Sequence, residues 1–261
     1  MNKISFICLC YNQQNSIIKL IKSIQYSDIS YEIIIIDDCS FDNSVQNIKS
    51  LKDNNIKLVQ LDKNKNNQSL SRNIGVSCST GNYIMFMDGD DYYNSYELNK
   101  LYKSLSNNQS SLIALNSIHL SKNIQYQTSF TYYTDEILHS ITMFCISKQY
   151  LIDNFIQWDE NKYYVDGEDF YYTFKLLAYK PTIYYSNLYT ANIVKNINSN
   201  TNNKYKNKNY IDYIHQMCTD TILLCLNANN MGLIKYINQY EENEIYRYLQ
   251  VINENNNDMQ K

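Results

Sequence analysis

Tyr83-Ile84-Met85-Phe86-Met87, followed at once by Asp88-Gly89-Asp90-Asp91, is the stretch on which the fold turns. The apolar run reads as a central strand, and it delivers a cluster of carboxylates to its own C-terminal end. Loops at the C-terminal ends of strands are where open α/β sheets bind ligands. Two carboxylates separated by one glycine can face a hard divalent cation such as Mn2+ or Mg2+. Such an ion keeps one or two protein carboxylates and takes its other ligands from phosphate and water. The competing reading is a surface turn, because Asp-Gly and Asp-Asp are frequent turn formers. An EF-hand loop is excluded: counted from Asp88 it needs Gly at the sixth position and Glu at the twelfth, where this chain has Tyr93 and Asn99.

Outward from that strand, the N-terminal half alternates strand-like and helix-like segments. Lys3–Leu9, Tyr31–Ile36, Ile56–Leu61 and Asn82–Met87 read as strands. Between them, Asn15–Tyr26 places Ile17, Ile18, Ile21 and Ile24 at helical spacing, Asp42–Leu51 is a weaker helix with Asn43 and Ser44 as capping side chains, and Ser69–Ser77 is a short helix. Strands separated by helices predict a parallel sheet with crossover connections. Beyond Asp91, Ser95–Leu105 is an amphipathic helix, and Leu112–His119 with Ile124–Thr131 reads as an antiparallel excursion. Ile141–Ser147 is a further strand followed by a short helix, Gly167–Tyr179 a helix with Phe170, Phe174 and Leu177 on one face, and Thr182–Tyr189 a last strand. Asn192–Asn209, rich in Asn and Lys, reads as a mobile loop, and Tyr210–Ile252 as two or three amphipathic helices. The expected organisation is an α/β domain over 1–195, with a first half to about 91 and a second from 92 to 195. A loop or linker follows over 196–209, and a helical extension over 210–261.

Bulk properties narrow the classes of function. With 261 residues, 44% hydrophobic and 19% charged, the chain can bury a core and is not a disordered one. A net charge of −3 lacks the basic excess of a general nucleic-acid binder. Only Arg72 and Arg247 are arginines. The 27 tyrosines are spread along the whole chain, which fits composition drift better than a carbohydrate platform. Seven cysteines without a C-x-x-C pair fit reduced, mostly buried thiols in a cytosolic protein. His119, His139 and His215 show no zinc-ligand spacing. The N-terminus starts directly into a strand with no room for a signal peptide, and no apolar run approaches the roughly 18 residues needed to span a bilayer. A cytoplasmic location is expected, with peripheral contact at the inner face of the membrane left open.

Each early strand ends at polar residues: Tyr11-Asn12, then Asp37-Asp38-Cys39-Ser40, then Asp88-Gly89-Asp90-Asp91. In a parallel sheet these ends share one edge. An aromatic ring there can stack on a base, and carboxylates can accept hydrogen bonds from base N–H or ribose hydroxyls. Ser71-Arg72-Asn73-Ile74-Gly75 puts an arginine near a helix start, and both features suit a diphosphate. Taken singly, each of these is a cap or a turn.

In series, Ser5-Phe6-Ile7-Cys8-Leu9-Cys10-Tyr11-Asn12, Asp37-Asp38-Cys39-Ser40, Ser71-Arg72-Asn73-Ile74-Gly75 and Asp88-Gly89-Asp90-Asp91 resemble the motifs of family 2 glycosyltransferases with the GT-A fold. Trp158-Asp159-Glu160 and Gly167-Glu168-Asp169-Phe170 resemble that family's acceptor-side segment. The resemblance covers about Lys3 to Thr201. It implies that Tyr11, with Asn12 beside it, stacks on the nucleobase, that Asp38 binds base or ribose, and that Arg72 lies near base or diphosphate. It also implies that Asp88 and Asp90 form the D-x-D motif, with Asp88 near the ribose and Asp90 on Mn2+ or Mg2+, and that Asp169 is the general base with Glu168 beside it. Val194–Thr201 resembles a loop that closes over the donor, with Ser199 as a donor contact. The chemistry implied is inverting transfer of one sugar from a nucleotide sugar, UDP-linked by preference, to a hydroxyl of a surface glycan or lipid-linked glycan.

The chain departs from the family pattern at Leu9 and Cys10, where Pro and Thr are common, and at Cys39 and Asn66, where Gly is frequent. It lacks the Gln-x-x-Arg-Trp motif of processive members, which favours one sugar per event. Two rivals stand beside this reading. A nucleotidyltransferase would carry a Gly-rich basic loop after the first strand, where Tyr11-Asn12-Gln13-Gln14 stands. A non-catalytic glycan- or partner-binding module would not need Asp88, Asp90 and Asp169. For the C-terminal helices, packing on the catalytic domain is favoured over a dimer contact or a membrane surface, and oligomeric state is left open.

Overall fold

The computed structural model describes residues 2–120, 125–128, 141–160, 167–194 and 209–258. Four strands form its parallel half: β1 (Ile4–Cys10), β2 (Tyr31–Asp37), β3 (Ile56–Gln60) and β4 (Tyr83–Asp88). They alternate with helices α1 (Ile17–Gln25), α2 (Ser44–Ser50) and α3 (Gln68–Cys78), so the crossovers expected from the sequence are present. The order β3-β2-β1-β4 is parallel throughout. The chain winds outward through β2 and β3, then returns across β1 to place β4 on its other side. The switch point of the sheet therefore lies between β1 and β4, and such a point opens a crevice at the strands' C-terminal ends.

These strands read as unbroken apolar runs because both faces are covered. Ile7, Ile84 and Phe86 point into one core, while Ile4, Phe6, Cys8, Tyr83, Met85 and Met87 point into the other. On the second side, α1 buries Ile17, Leu20, Ile21 and Ile24, with Leu20 taking the place expected of Ile18. On the first side, α3 approaches so closely that a Cβ at Gly75 would stand 2.3 Å from Ile7 Cγ2.

The second half adds β5 (Tyr92–Tyr93), α4 (Ser95–Leu105), β6 (Leu112–Leu120), β7 (Gln125–Thr128), β8 (Phe144–Ser147), α5 (Lys148–Asp153), α6 (Glu168–Ala178) and β9 (Ile183–Val194). Asn94 caps α4 by accepting from the N–H groups of Tyr96 and Glu97. The sheet continues as β4-β8-β6-β9-β5, with β7 on β6 as the expected antiparallel excursion. Two expectations shift. Ile141–Met143 is a 3-10 turn, so the strand expected from Ile141 begins at Phe144. The last strand runs past Tyr189 to Val194, so the loop expected from Asn192 begins later. Asn192 is held between Tyr92 on one side and Ile118 on the other, and that pairing overrides its polar composition.

Helices α7 (Tyr210–Asn227) and α8 (Ile234–Asp258) form the C-terminal part. Tyr210, Ile214, Met217, Cys218, Leu233, Ile237 and Tyr240 share one core with Phe170, Phe174 and Leu177 of α6. The favoured reading, packing on the α/β domain that precedes them, is what these contacts show. A Cβ at Gly167 would stand 2.4 Å from Met217 Sδ, so α7 sets the path of the chain just before α6.

Candidate active site at the sheet edge

Register brings the strand ends level: Cys10 pairs with Asp37, and Leu9 with Asp88. The polar residues that follow are therefore neighbours. The loop after β1 is tied to the loop after β2 by Asn12 N–H to Ser40 Oγ (2.8 Å), Gln13 N–H to Ser44 Oγ (2.7 Å) and Gln14 N–H to Asp42 Oδ2 (3.0 Å). Phe41 N–H returns the link to Asn12 Oδ1 (3.0 Å). Asn12 and Cys39 hold φ values of 54° and 65°, which turn the two loops toward each other. Tyr11 is exposed and meets the exposed ring of Phe41 edge-on, with centroids 6.3 Å apart.

Asp37 is buried and accepts from Ser40 N–H (3.1 Å). Asp38 accepts from the N–H groups of Lys65 (2.7 Å) and Asn66 (3.0 Å). Its carboxylate thereby anchors the loop after β3, whose Asn66 has a φ of 45°. The third strand end crosses at Gly89, where a Cβ would stand 2.6 Å from Leu9 O. Only glycine lets the Asp88–Asp91 loop lie this close to β1. Asp88 keeps 44% of its side chain exposed. Asp91 is buried and accepts from Val194 N–H (2.7 Å), joining the loop to the end of β9. Burial, then the charges of Asp88 and Asp90, push the Asp91 carboxyl up to about 8.

Arg72, on α3, is the centre of a second group. Its side chain is 2% exposed. Nη1 lies 3.1 Å from Glu168 Oε1 and 3.2 Å from Asp169 Oδ1, and Nη2 lies 3.4 Å from Asp88 Oδ1. The guanidinium stands 4.4 Å above the Trp158 ring, and Trp158 stacks on Tyr172 at 3.8 Å. Asn73 fixes the Trp158 backbone from both sides, accepting from its N–H (2.9 Å) and donating to its carbonyl (2.9 Å). Arg72 is thus engaged by three carboxylates inside the protein, beneath the edge where a diphosphate contact was expected.

Glu168 and Asp169 open α6, where the positive end of the helix favours carboxylates. Burial outweighs the nearby guanidinium for both. The Glu168 carboxyl is pushed up to about 8 by burial and by Asp169, against the pull of Arg72. The Asp169 carboxyl is raised by burial and opposed first by Arg72. Its Oδ1 is buried, while a quarter of the side chain is exposed. Ser199 lies outside the described residues.

The site residues thus fall into two groups. One joins Tyr11, Asn12 and the loop of Asp38; the other joins Arg72, Asp88, Glu168 and Asp169. They meet where Gly89 lies against Leu9. Trp158, Asn73 and Phe41 were given no role from the sequence. Trp158 and Asn73 stood inside the family-like segments Trp158-Asp159-Glu160 and Ser71-Arg72-Asn73-Ile74-Gly75, but nothing in the local sequence marks the two as partners. Among the described residues no three of His, Cys, Asp and Glu are grouped to hold a metal by themselves. Of the acidic loop, Asp88, which is 44% exposed, and Asp90 are the two carboxylates that could serve a cation taking its remaining ligands from phosphate.

Comparison with known proteins agrees with this architecture. The model of glycosyl transferase family 2 matches residues 5–167. The poly(ribitol-phosphate) beta-N-acetylglucosaminyltransferase TarS of Staphylococcus aureus (strain Mu50) is 31% identical over 102 residues, which is 38% of this chain and 18% of TarS. TarP of Staphylococcus aureus (strain N315), which carries the same activity in its name, is 36% identical over 118 residues, 43% of this chain and 36% of TarP. The matches thus span well under half the length of these relatives. The crystal structure of S. aureus TarS 1-349 with UDP-GlcNAc superposes with a TM-score of 0.69 at 18% identity, covering 88% of this chain and 72% of that one. That likeness shows the GT-A fold. The family motifs run from β1 to the start of α6 across more than half of the sequence, and the chain belongs to glycosyl transferase family 2.

Proposed function

We propose that this protein transfers one sugar from a nucleotide sugar, UDP-linked and of the hexose or N-acetylhexosamine class, to a hydroxyl of a surface polymer, with inversion. The observation that carries the reading is the Arg72 centre. It holds Asp88, at the donor edge of the parallel sheet, against Glu168 and Asp169, at the head of the acceptor-side helix. A donor phosphate site and a candidate base so joined are what direct displacement at a sugar carbon needs.

In this reading Tyr11 stacks on the base, and Asn12 and Asp38 shape the wall around base and ribose. Asp88 and Asp90 would hold Mn2+ or Mg2+ together with diphosphate oxygens. Bound there, the ion would neutralise charge on the departing nucleoside diphosphate. Asp169, its carboxyl raised by burial, accepts the acceptor's hydroxyl proton as the new C–O bond forms and the bond to the diphosphate breaks. Arg72 holds that carboxylate in place and acts as a positioning residue. A Ser199 donor contact belongs to the same reading. The activities that TarS and TarP carry in their names, and UDP-GlcNAc in the TarS structure, favour a UDP donor and a polyol-phosphate or related glycan acceptor. No helix among the described residues is long and apolar enough to cross a membrane.

The test is donor hydrolysis by purified protein with UDP-, GDP- and dTDP-sugars in Mn2+, Mg2+ or EDTA, beside Asp90→Ala and Asp169→Asn. Metal-dependent turnover of one donor, lost in Asp90→Ala, is expected. No turnover together with no metal-dependent nucleotide binding by calorimetry would overturn the reading and favour a binding module.

A further inference from the structure

A groove of about 530 Å3 lies between α1 and β5, on the flank of the loop that carries Asp88–Asp91. Its size is within the range of ligand sites. Ser23 closes its floor, accepting from Tyr93 N–H (2.9 Å) and so tying the helix to the strand. Lys19 and Lys22, one helical turn apart and both exposed, line it with Tyr26, Tyr92 and Asn15. Lys19 Nζ stands 3.4 Å from the centre of the Tyr92 ring. Neither lysine has an ion-pair or hydrogen-bond partner among the described residues, and none of the described lining residues carries a carboxylate. On a chain of net charge −3 this is a local cationic surface, walled by two phenol rings. Lysine ammonium groups bind phosphate as point charges, and aromatic faces take the C–H faces of sugars and polyols.

We propose that this groove is an acceptor subsite that holds a phosphate-bearing segment of a polyol- or sugar-phosphate polymer away from the reacting hydroxyl. Tyr92 directly follows Asp91, so a chain seated on it lies beside the loop assigned to the donor. The inference rests on the transferase reading, and its test separates the two. A ribitol-phosphate oligomer is titrated by calorimetry into the wild-type chain and into the Lys19→Gln/Lys22→Gln variant, with UDP binding and donor hydrolysis measured on both. The variant is expected to bind the oligomer about tenfold more weakly. Wild-type binding is expected to weaken as salt rises, with UDP binding and hydrolysis unchanged in the variant. Equal oligomer binding by the two proteins, or none by a wild type that binds UDP, would overturn the subsite and leave the transferase standing. Loss in the variant of binding to phosphatidylglycerol vesicles, with oligomer binding intact, would also overturn it, in favour of a membrane contact.

Discussion

Arg72 Nη1 and Asp169 Oδ1 lie 3.2 Å apart, although 97 positions separate them in the chain, and the guanidinium that makes this contact is 2% exposed. A cation so deep is tolerated only because three carboxylates face it. Removing it leaves Glu168 and Asp169, the more deeply set two of the three, without their counter-charge, and breaking a buried pair in this way typically costs about 3–5 kcal/mol. Arg72→Ala is therefore expected to lower the thermal midpoint sharply. Arg72→Lys keeps the charge but loses the fork that reaches Asp88 and Glu168 together. It is expected to fold and to lose turnover more than donor affinity, as read from kcat and KM in donor hydrolysis.

Trp158 is the floor under that guanidinium, sandwiched between Arg72 at 4.4 Å and Tyr172 at 3.8 Å. Among the described residues its indole N–H has no hydrogen-bond partner, so replacing it with phenylalanine removes no hydrogen bond seen there. Trp158→Phe is expected to keep the fold with a modest loss, and Trp158→Ala to lose about 3–5 kcal/mol through the cavity it leaves. Denaturant unfolding of both variants measures the difference. Equal losses would show that the stack does not carry the centre.

Gly89 sets the position of the whole acidic loop. A methyl group there would stand 2.6 Å from Leu9 O, a backbone atom of a buried strand that cannot give way. Gly89→Ala is expected to push Asp88 and Asp90 outward while leaving the cores intact. Displacements of about 1 Å at a reacting centre cost on the order of 100-fold in rate. Donor hydrolysis is expected to fall by that order with far-UV circular dichroism unchanged.

Two positions where the sequence departs from glycines common in the family hold a backbone conformation that glycine adopts freely. Cys39 and Asn66 stand at positions where glycine is common, and both have positive φ, 65° and 45°. Asparagine tolerates this region better than cysteine does. Cys39→Gly is expected to raise stability by up to about 1 kcal/mol, Asn66→Gly by less, and Cys39→Val to lower it. Thermal unfolding of the three orders them.

The parallel half was legible because Ile33–Ile36 and Ile84–Met87 are buried on both faces, and such strands are apolar without interruption. Their polar ends, Asp37 and Asp88, were therefore visible as ends. The Arg72 centre was not. An arginine is ordinarily exposed, and the groups that bury this one come from Asp88, Trp158 and α6, far along the chain. The role of Asp38 was hidden for the same reason: its hydrogen bonds go to the backbone of Lys65 and Asn66, which carries no side-chain signature. At Asn192–Val194 the composition pointed to a loop, and pairing along β6, with β5 on the other side of Asn192, made a strand of it.

At the opposite end of the sheet, Glu32 does structural work that pH can expose. It is buried and accepts from Ser5 Oγ (2.5 Å), Thr80 N–H (2.6 Å) and Gly81 N–H (3.0 Å), with Lys3 Nζ at 3.4 Å. Burial alone would raise its pKa, but the hydrogen bonds from Ser5 and Thr80, helped by Lys3, hold it below the ordinary glutamate value. A carboxyl with a folded pKa below its unfolded one stabilises the protein above the unfolded value, and that contribution is lost as pH falls through the folded value. Wild-type stability is therefore expected to drop on acidification below about pH 4.5, where an unfolded glutamate takes up its proton. Glu32→Gln is expected to be less stable at neutral pH and to lose less than the wild type over the acid range. Denaturant midpoints of the two proteins across that range decide the matter, and parallel curves would show that the acid loss arises elsewhere.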